Sequence, residues 1–236
     1  MILLPAYTAF SITCEAALIN TEFWLEIWEK NKIGFHQQEI NSHLKSHWQH
    51  LNVTPNCRVF VPLCGKTRDI LWLCGQGHSV LGVEISPLAV RDFFTENSLN
   101  PSIFQQDNFC RWESDGLIIL QGDFFNVNRG QVQDVECVFD RASLVALPIE
   151  LRQQYVRHLK SILPDNVRTL LVTFEYEQKE MDGPPFSVNE NELHDLYQDD
   201  YEIILLFKQD VLDEYPQFQA RGLNHLQEKI YLLKPR

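Results

Sequence analysis

Between Arg58 and Leu233, short apolar runs of strand length alternate with stretches of helical periodicity, and no other feature of the chain narrows its fold so far. Arg58-Val59-Phe60-Val61-Pro62 leads through Leu63-Cys64-Gly65-Lys66 into a helical pattern from Thr67. That pattern puts Ile70, Leu71, Leu73 and Cys74 on one side until Gly75 and Gly77 stop it. Ser79 to Glu84 reads as a second buried strand, after which Ser86 caps and Pro87 opens a helix to about Asn97. Further strands are expected at Leu117 to Leu120, Val135 to Phe139, Arg168 to Phe174, Tyr201 to Phe207 and Lys229 to Leu233. Helices are expected at Pro148 to Leu163 and Val188 to Tyr197. Upstream, Glu22 to Lys30 spaces Phe23, Trp24, Ile27 and Trp28 as a short amphipathic helix, and a second helix is expected over about Gln38 to Leu51. Strand–helix alternation buries both faces of a parallel sheet under helices, with the last two strands adding an antiparallel edge. The expectation is one α/β domain over residues 21–236, with an N-terminal helical cap at about 21–51.

Composition removes competing classes. The 236 residues suit a single large domain, and Asp plus Glu at 32 against Lys plus Arg at 20 leave a net charge of −12. A chain so acidic lacks the basic face that a phosphate backbone demands, so no nucleic-acid partner is expected. The six cysteines contain no CxxC pair and sit largely in apolar runs, which reads as reduced thiols in a cytoplasmic protein and not as a zinc site or a disulfide framework. Residues 1–20 are mostly apolar but are broken by Pro5, Thr8, Ser11, Thr13 and Glu15, and no Lys or Arg precedes Lys30. Neither a membrane span nor a secretory leader fits them. They are expected to be a poorly ordered extension, or to reflect a start placed too far upstream.

Ligands of open α/β sheets bind beyond the carboxyl ends of the strands, at the switch in strand order. The turn after the first strand holds Gly65-Lys66-Thr67, but a phosphate loop needs a glycine where Phe60 stands. No GxGxxG occurs either, so a pyrophosphate-bearing dinucleotide is not expected. What remains is Glu84, nineteen residues after Gly65 at the end of the second strand, where a carboxylate can accept from both hydroxyls of a ribose. A solvent-facing strand-end carboxylate is the alternative. A ribosyl cofactor without a pyrophosphate site points to S-adenosylmethionine. His43, His47 and His50 are spaced i, i+4, i+7, but no acidic or thiolate partner is evident for a metal, and they read as solvated helix residues. Cys64 lacks a base and reads as packing.

A set of short blocks then carries a specific resemblance. They are Phe23-Trp24 with Trp28, Gly34-Phe35-His36-Gln37, Val61-Pro62-Leu63-Cys64-Gly65-Lys66 and Gly82-Val83-Glu84-Ile85-Ser86. Downstream come Gly122-Asp123-Phe124-Phe125, Asp140-Arg141-Ala142, Gly183-Pro184-Pro185-Phe186-Ser187-Val188 and Ala220-Arg221-Gly222. In this order and at these separations the chain resembles the thiopurine S-methyltransferase family, bacterial type, from about Glu22 to its end. Residues 1–20 depart from the shorter bacterial relatives.

The resemblance implies a class I S-adenosylmethionine-dependent methyltransferase fold, Rossmann-like, with a seven-stranded, mostly parallel sheet. It implies cofactor contacts at Trp28, Leu63, Glu84 and Arg141, with Trp24, Phe35, Gly65, Asp123 and Phe124 flanking the same site. Phe35, Arg141 and Arg221 fall where the family meets its thiol. In that arrangement Leu63 and Gly65 offer backbone groups to the methionine end, Glu84 holds the ribose, and Asp123 and Phe124 meet the adenine. Trp24 and Trp28, one helical turn apart, cover the sulfonium; ordinary core packing is the alternative for this pair. The implied reaction is in-line displacement by the sulfur of an aromatic or heterocyclic thiol, with no general base assigned and no metal. A selenium or tellurium acceptor, or a cofactor-binding module without catalysis, remains the alternative. The protein is expected to act on small molecules, away from membranes, as a monomer.

Overall fold

The computed structural model describes residues 21–236. A helix α1 (21–29) is followed by α2 (Ser42–His47) and a 3-10 turn (Trp48–Leu51). Then come β1 (Arg58–Val61), α3 (Asp69–Gly75), β2 (Ser79–Glu84), α4 (Pro87–Glu96), β3 (Ser102–Gln106), β4 (Phe109–Ser114) and β5 (Leu117–Gln121). The second half comprises α5 (Arg129–Val132), β6 (Val135–Arg141), α6 (Ile149–Ile162), β7 (Arg168–Glu175), α7 (Glu190–Tyr197), β8 (Tyr201–Asp210), α8 (Pro216–Gln219) and β9 (Gln227–Pro235).

All nine strands join one sheet in the order β3-β4-β5-β2-β1-β6-β7-β9-β8. The five central strands, β5 to β7 in that order, pair in parallel. Parallel strands are covered on both faces, and the side-chain period of two sorts their residues accordingly. Val59 and Val61 of β1 join Val80, Phe139, Leu170 and Ile230 under α2 to α4, while Phe60 joins Leu81, Val138 and Leu171 under α6 and α7. Local chemistry sets the helix starts. Ser86 Oγ accepts from the Ala89 amide at 3.2 Å with Pro87 in the first turn, as the sequence predicts. Asn41 Oδ1 accepts from the amides of His43 and Leu44, so α2 begins at Ser42 and not at Gln38.

Two expectations change. The sheet has nine strands, not seven, because β3 and β4 form an antiparallel ribbon on the β5 edge. Their sequences are mixed and β3 is exposed along most of its length, so no buried apolar run marked them. The final antiparallel pair is also longer than the apolar runs suggested, reaching Asp210 and Gln227. Residues 1–20, expected to be an extension, lie outside the described residues. Among the described residues no helix is long and apolar enough to cross a membrane.

The direction of strand order reverses at β1. β2 lies on one side of it and β6 on the other, so the chains leaving β1 and β6 diverge and open a crevice at their carboxyl ends.

Candidate active site

A cavity of about 830 Å³ fills that crevice. Its walls include every residue singled out from the sequence: Trp24, Trp28, Phe35, Leu63, Gly65, Glu84, Asp123, Phe124, Arg141 and Arg221. The turn after β1 forms its floor. Pro62 ends the strand, its carbonyl accepts from Ser143 Oγ at 2.7 Å, and the Cys64 amide donates to the Val83 carbonyl at 2.9 Å. These bonds hold Leu63 at φ +45° and Gly65 at φ +53°. Ala142, after β6, takes φ +63°, so both strands bordering the crevice leave through a left-handed residue. Such conformations cost a side-chain-bearing residue roughly 1–3 kcal/mol and are retained where surrounding structure over-determines them.

Glu84 is buried at the end of β2, accepting from the Gly65 amide through Oε2 and from the Ser86 amide through Oε1, each at 2.8 Å. Burial pushes its carboxyl up to about 6, against the downward pull of these backbone donors. The same burial, with Glu84 beside it, pushes the Cys64 thiol well above its ordinary value. Cys64 Sγ lies 2.8 Å from where a Cβ on Gly82 would stand, which identifies it as a packing residue.

The roof comes from the cap. Trp28 is buried and rests on Gly65, where an added Cβ would meet its ring at 3.0 Å. Phe35 packs edge-on to Trp24 and Trp28, each with centroids 5.6 Å apart. Arg141 reaches from the end of β6 to donate from its Nη2 to the Phe35 carbonyl at 3.1 Å, joining sheet to cap. At the β5 end, Asp123 Oδ1 accepts from the Phe125 amide at 2.9 Å. Phe124 packs on Phe60 and Tyr155, so it is a core residue whose remaining surface faces the cavity.

Arg221 is exposed, and its guanidinium lies 3.4 Å from the carbonyls of Gly183 and Pro184 in the loop before α7. Asp140, beside Arg141, is fully buried behind the wall. It accepts from Tyr155 Oη at 2.7 Å and the Leu144 amide at 3.2 Å, and burial pushes its carboxyl up to about 6. Sequence reading missed Phe174, Tyr215, Phe218 and Glu228, all on the cavity wall. Phe174 and Glu228 face each other across β7 and β9, and Tyr215 and Phe218 stack 5.3 Å apart around α8. The i, i+3 aromatic pair after Glu214 was the available signal; Glu228 carried none. His43, read as solvated, instead places Nε2 2.7 Å from Glu228 Oε2.

The model of the family thiopurine S-methyltransferase (TPMT) matches residues 19–236. A thiopurine S-methyltransferase of Nitrosospira multiformis is 53% identical over 218 residues, covering 92% of this chain and 99% of its own. One of Azotobacter vinelandii is 44% identical over the same length, covering 92% and 100%. Among solved structures, a Burkholderia thailandensis 1,6-didemethyltoxoflavin-N1-methyltransferase with bound S-adenosylhomocysteine superposes with a TM-score of 0.61 at 16% identity. The match covers 99% of this chain and 94% of that one. An Anabaena variabilis SAM-dependent methyltransferase gives 0.63 at 12% identity, covering 92% and 95%. Matched by the family model from end to end of its described residues and more than half identical to a relative, the chain belongs to the thiopurine S-methyltransferase family and is an S-adenosylmethionine-dependent methyltransferase.

Proposed function

We propose that this enzyme methylates the sulfur of aromatic or heterocyclic thiols, thiopurines among them. The observation that carries the reading is the lining of the cavity, in which the aromatic residues Phe35, Phe174, Tyr215 and Phe218 occur together with Arg141 and Arg221. Flat apolar walls suit a heteroaromatic ring, and two fixed positive charges favour the ring's sulfur as thiolate. The names of the relatives agree with it.

S-adenosylmethionine, when bound, supplies a methyl group on a sulfonium that a sulfur nucleophile can displace in line. The residues present fit it. Glu84 keeps a buried carboxylate at the strand end with backbone amides already on both oxygens, leaving its remaining lone pairs to accept from ribose hydroxyls. Leu63 and Gly65 form the turn that would take the methionine end of the cofactor. Asp123 and Phe124 would offer an acceptor and a ring to the adenine, and Trp24 and Trp28 would shelter the sulfonium. The cap, residues 21–51, excludes water so that the acceptor sulfur is aligned in a dry site. Residues 21–236 act as one unit, as a monomer in the cytoplasm; Cys57, Cys64, Cys74, Cys110 and Cys137 are free thiols, which suits a reducing compartment.

Transfer of labelled methyl from S-adenosylmethionine to a panel of aromatic thiols, with selenite and tellurite included, tests the reading. Turnover on thiols that is lost in Glu84→Ala supports it. Turnover confined to selenite or tellurite assigns a different acceptor, and tight cofactor binding with no turnover on any of them overturns the reading.

A further inference from the structure

The histidines of α2 and of the 3-10 turn after it meet the overlooked Glu228 in one feature. Glu228 stands at the start of β9, which runs antiparallel to β7, so it lies at the carboxyl edge of the parallel strands. It is 5% exposed, lines the cavity, and holds His43 Nε2 at 2.7 Å through Oε2. Among the described residues its other oxygen accepts no hydrogen bond. Tyr215 and Arg141 line the same cavity as Glu228. On the opposite side of the pair the imidazoles form a file. The His43 and His47 rings stack with centroids 6.0 Å apart, and the His47 and exposed His50 rings lie 5.6 Å apart. His43 itself keeps 14% of its side chain in solvent. A buried carboxylate on the wall of a cavity, hydrogen-bonded to an imidazole that reaches water, has the composition of a proton exit.

We propose that Glu228 takes the proton of a neutral acceptor thiol and that His43 passes it to solvent. The inference rests on the thiol reading above and widens it to acceptors that are protonated at neutral pH. As a lone pair of the acceptor sulfur forms the new bond to the methyl carbon, the bond from that carbon to the sulfonium breaks, and its electron pair leaves the cofactor as a neutral thioether. The S–H proton moves to Glu228, and the electron pair of the S–H bond stays on the product sulfur. Charge balances, with one proton released through His43.

The test compares kcat/KM at neutral pH for a thiol ionised in solution, 4-nitrothiophenol, and one protonated there, benzyl mercaptan. In Glu228→Gln the protonated-to-ionised ratio falls on the order of tenfold to a hundredfold relative to wild type. His43→Gln shifts it the same way by less. In Glu228→Ala, added formate restores turnover of benzyl mercaptan and chloride at equal ionic strength does not. Calorimetric titration with S-adenosylhomocysteine establishes that each variant is folded. If Glu228→Gln fails to bind, the ratio in His43→Gln decides. Equal losses on both thiols, an unchanged ratio, or no response to formate overturns the proposal. A wild-type enzyme that methylates neither thiol overturns the acceptor reading beneath it, which separates the two failures.

Discussion

Gly65 is held in place from two directions. Its φ of +53° is a conformation that a Cβ disfavours, and the same Cβ would press against the Trp28 ring at 3.0 Å. Gly65→Ala should therefore destabilise the protein by about 1–3 kcal/mol and weaken cofactor binding, read by thermal unfolding and calorimetry. Glu84 makes a pH-dependent prediction. Its carboxyl is raised from 4.5 to about 6 in the folded chain, so the folded state binds more protons than the unfolded one between these values. Its contribution to stability, about 2 kcal/mol, is full below pH 4.5 and is lost as pH rises through 6. Asp140, raised to about 6 by its own burial, adds in the same sense. Glu84→Gln should flatten part of that slope in denaturant melts. On the proposed reading, ribose hydroxyls bonded to Glu84 favour its ionised form, so cofactor affinity should rise between about pH 5 and 7 in the wild type and rise less in Glu84→Gln. Gly65 and Glu84 were legible beforehand as cavity residues because each stands at a strand end that hydrophobic periodicity locates. Glu228 was not, since one carboxylate in a C-terminal strand carries no mark of which cavity it faces.

The ribbon of β3 and β4 shows how elements escape pattern reading. Asp115 and Gly116 both take positive φ, +44° and +79°, in a two-residue turn between Ser114 and Leu117. Asp-Gly is the composition such hairpin turns demand, and it stood in the sequence as the overlooked signal. An added Cβ on Gly116 would meet nothing within 4 Å, so Gly116→Ala isolates the backbone preference. It should cost about 1–2 kcal/mol in chemical denaturation. Gly75, at the end of α3, is the counterpart, since it too faces open space and its φ is an ordinary one. Gly75→Ala should stabilise the protein by about 0.4–1 kcal/mol by restricting the unfolded chain. Opposite signs for these two substitutions, both glycine to alanine with no steric contact, separate φ from packing as the cause. The central strands and the helices between them were legible because each is a run long enough to show its period. The exposed edge strands show none.

At the scale of the whole molecule, two contacts hold the first part of the cap, residues 21–37, to the floor of the crevice. The Arg141 bond to the Phe35 carbonyl is one, and the Trp28 ring on Gly65 is another. Arg141→Met should loosen residues 21–37, seen as faster amide hydrogen exchange there. It should weaken cofactor binding by about tenfold, the equivalent of a charge-assisted hydrogen bond of roughly 1.5 kcal/mol. Unchanged exchange in that segment would show that the aromatic contacts hold the cap unaided. Hydrophobic periodicity, capping residues and the ordered blocks around Glu84, Arg141 and Arg221 were enough to place this chain in its fold class and family, because each depends on neighbours in sequence. The nine-strand count, the burial that raises Glu84 and Asp140, the aromatic wall of Phe174, Tyr215 and Phe218, and the meeting of His43 with Glu228 were decided by tertiary structure alone. Those features join residues up to 185 positions apart, and nothing local to either partner encodes such a distance.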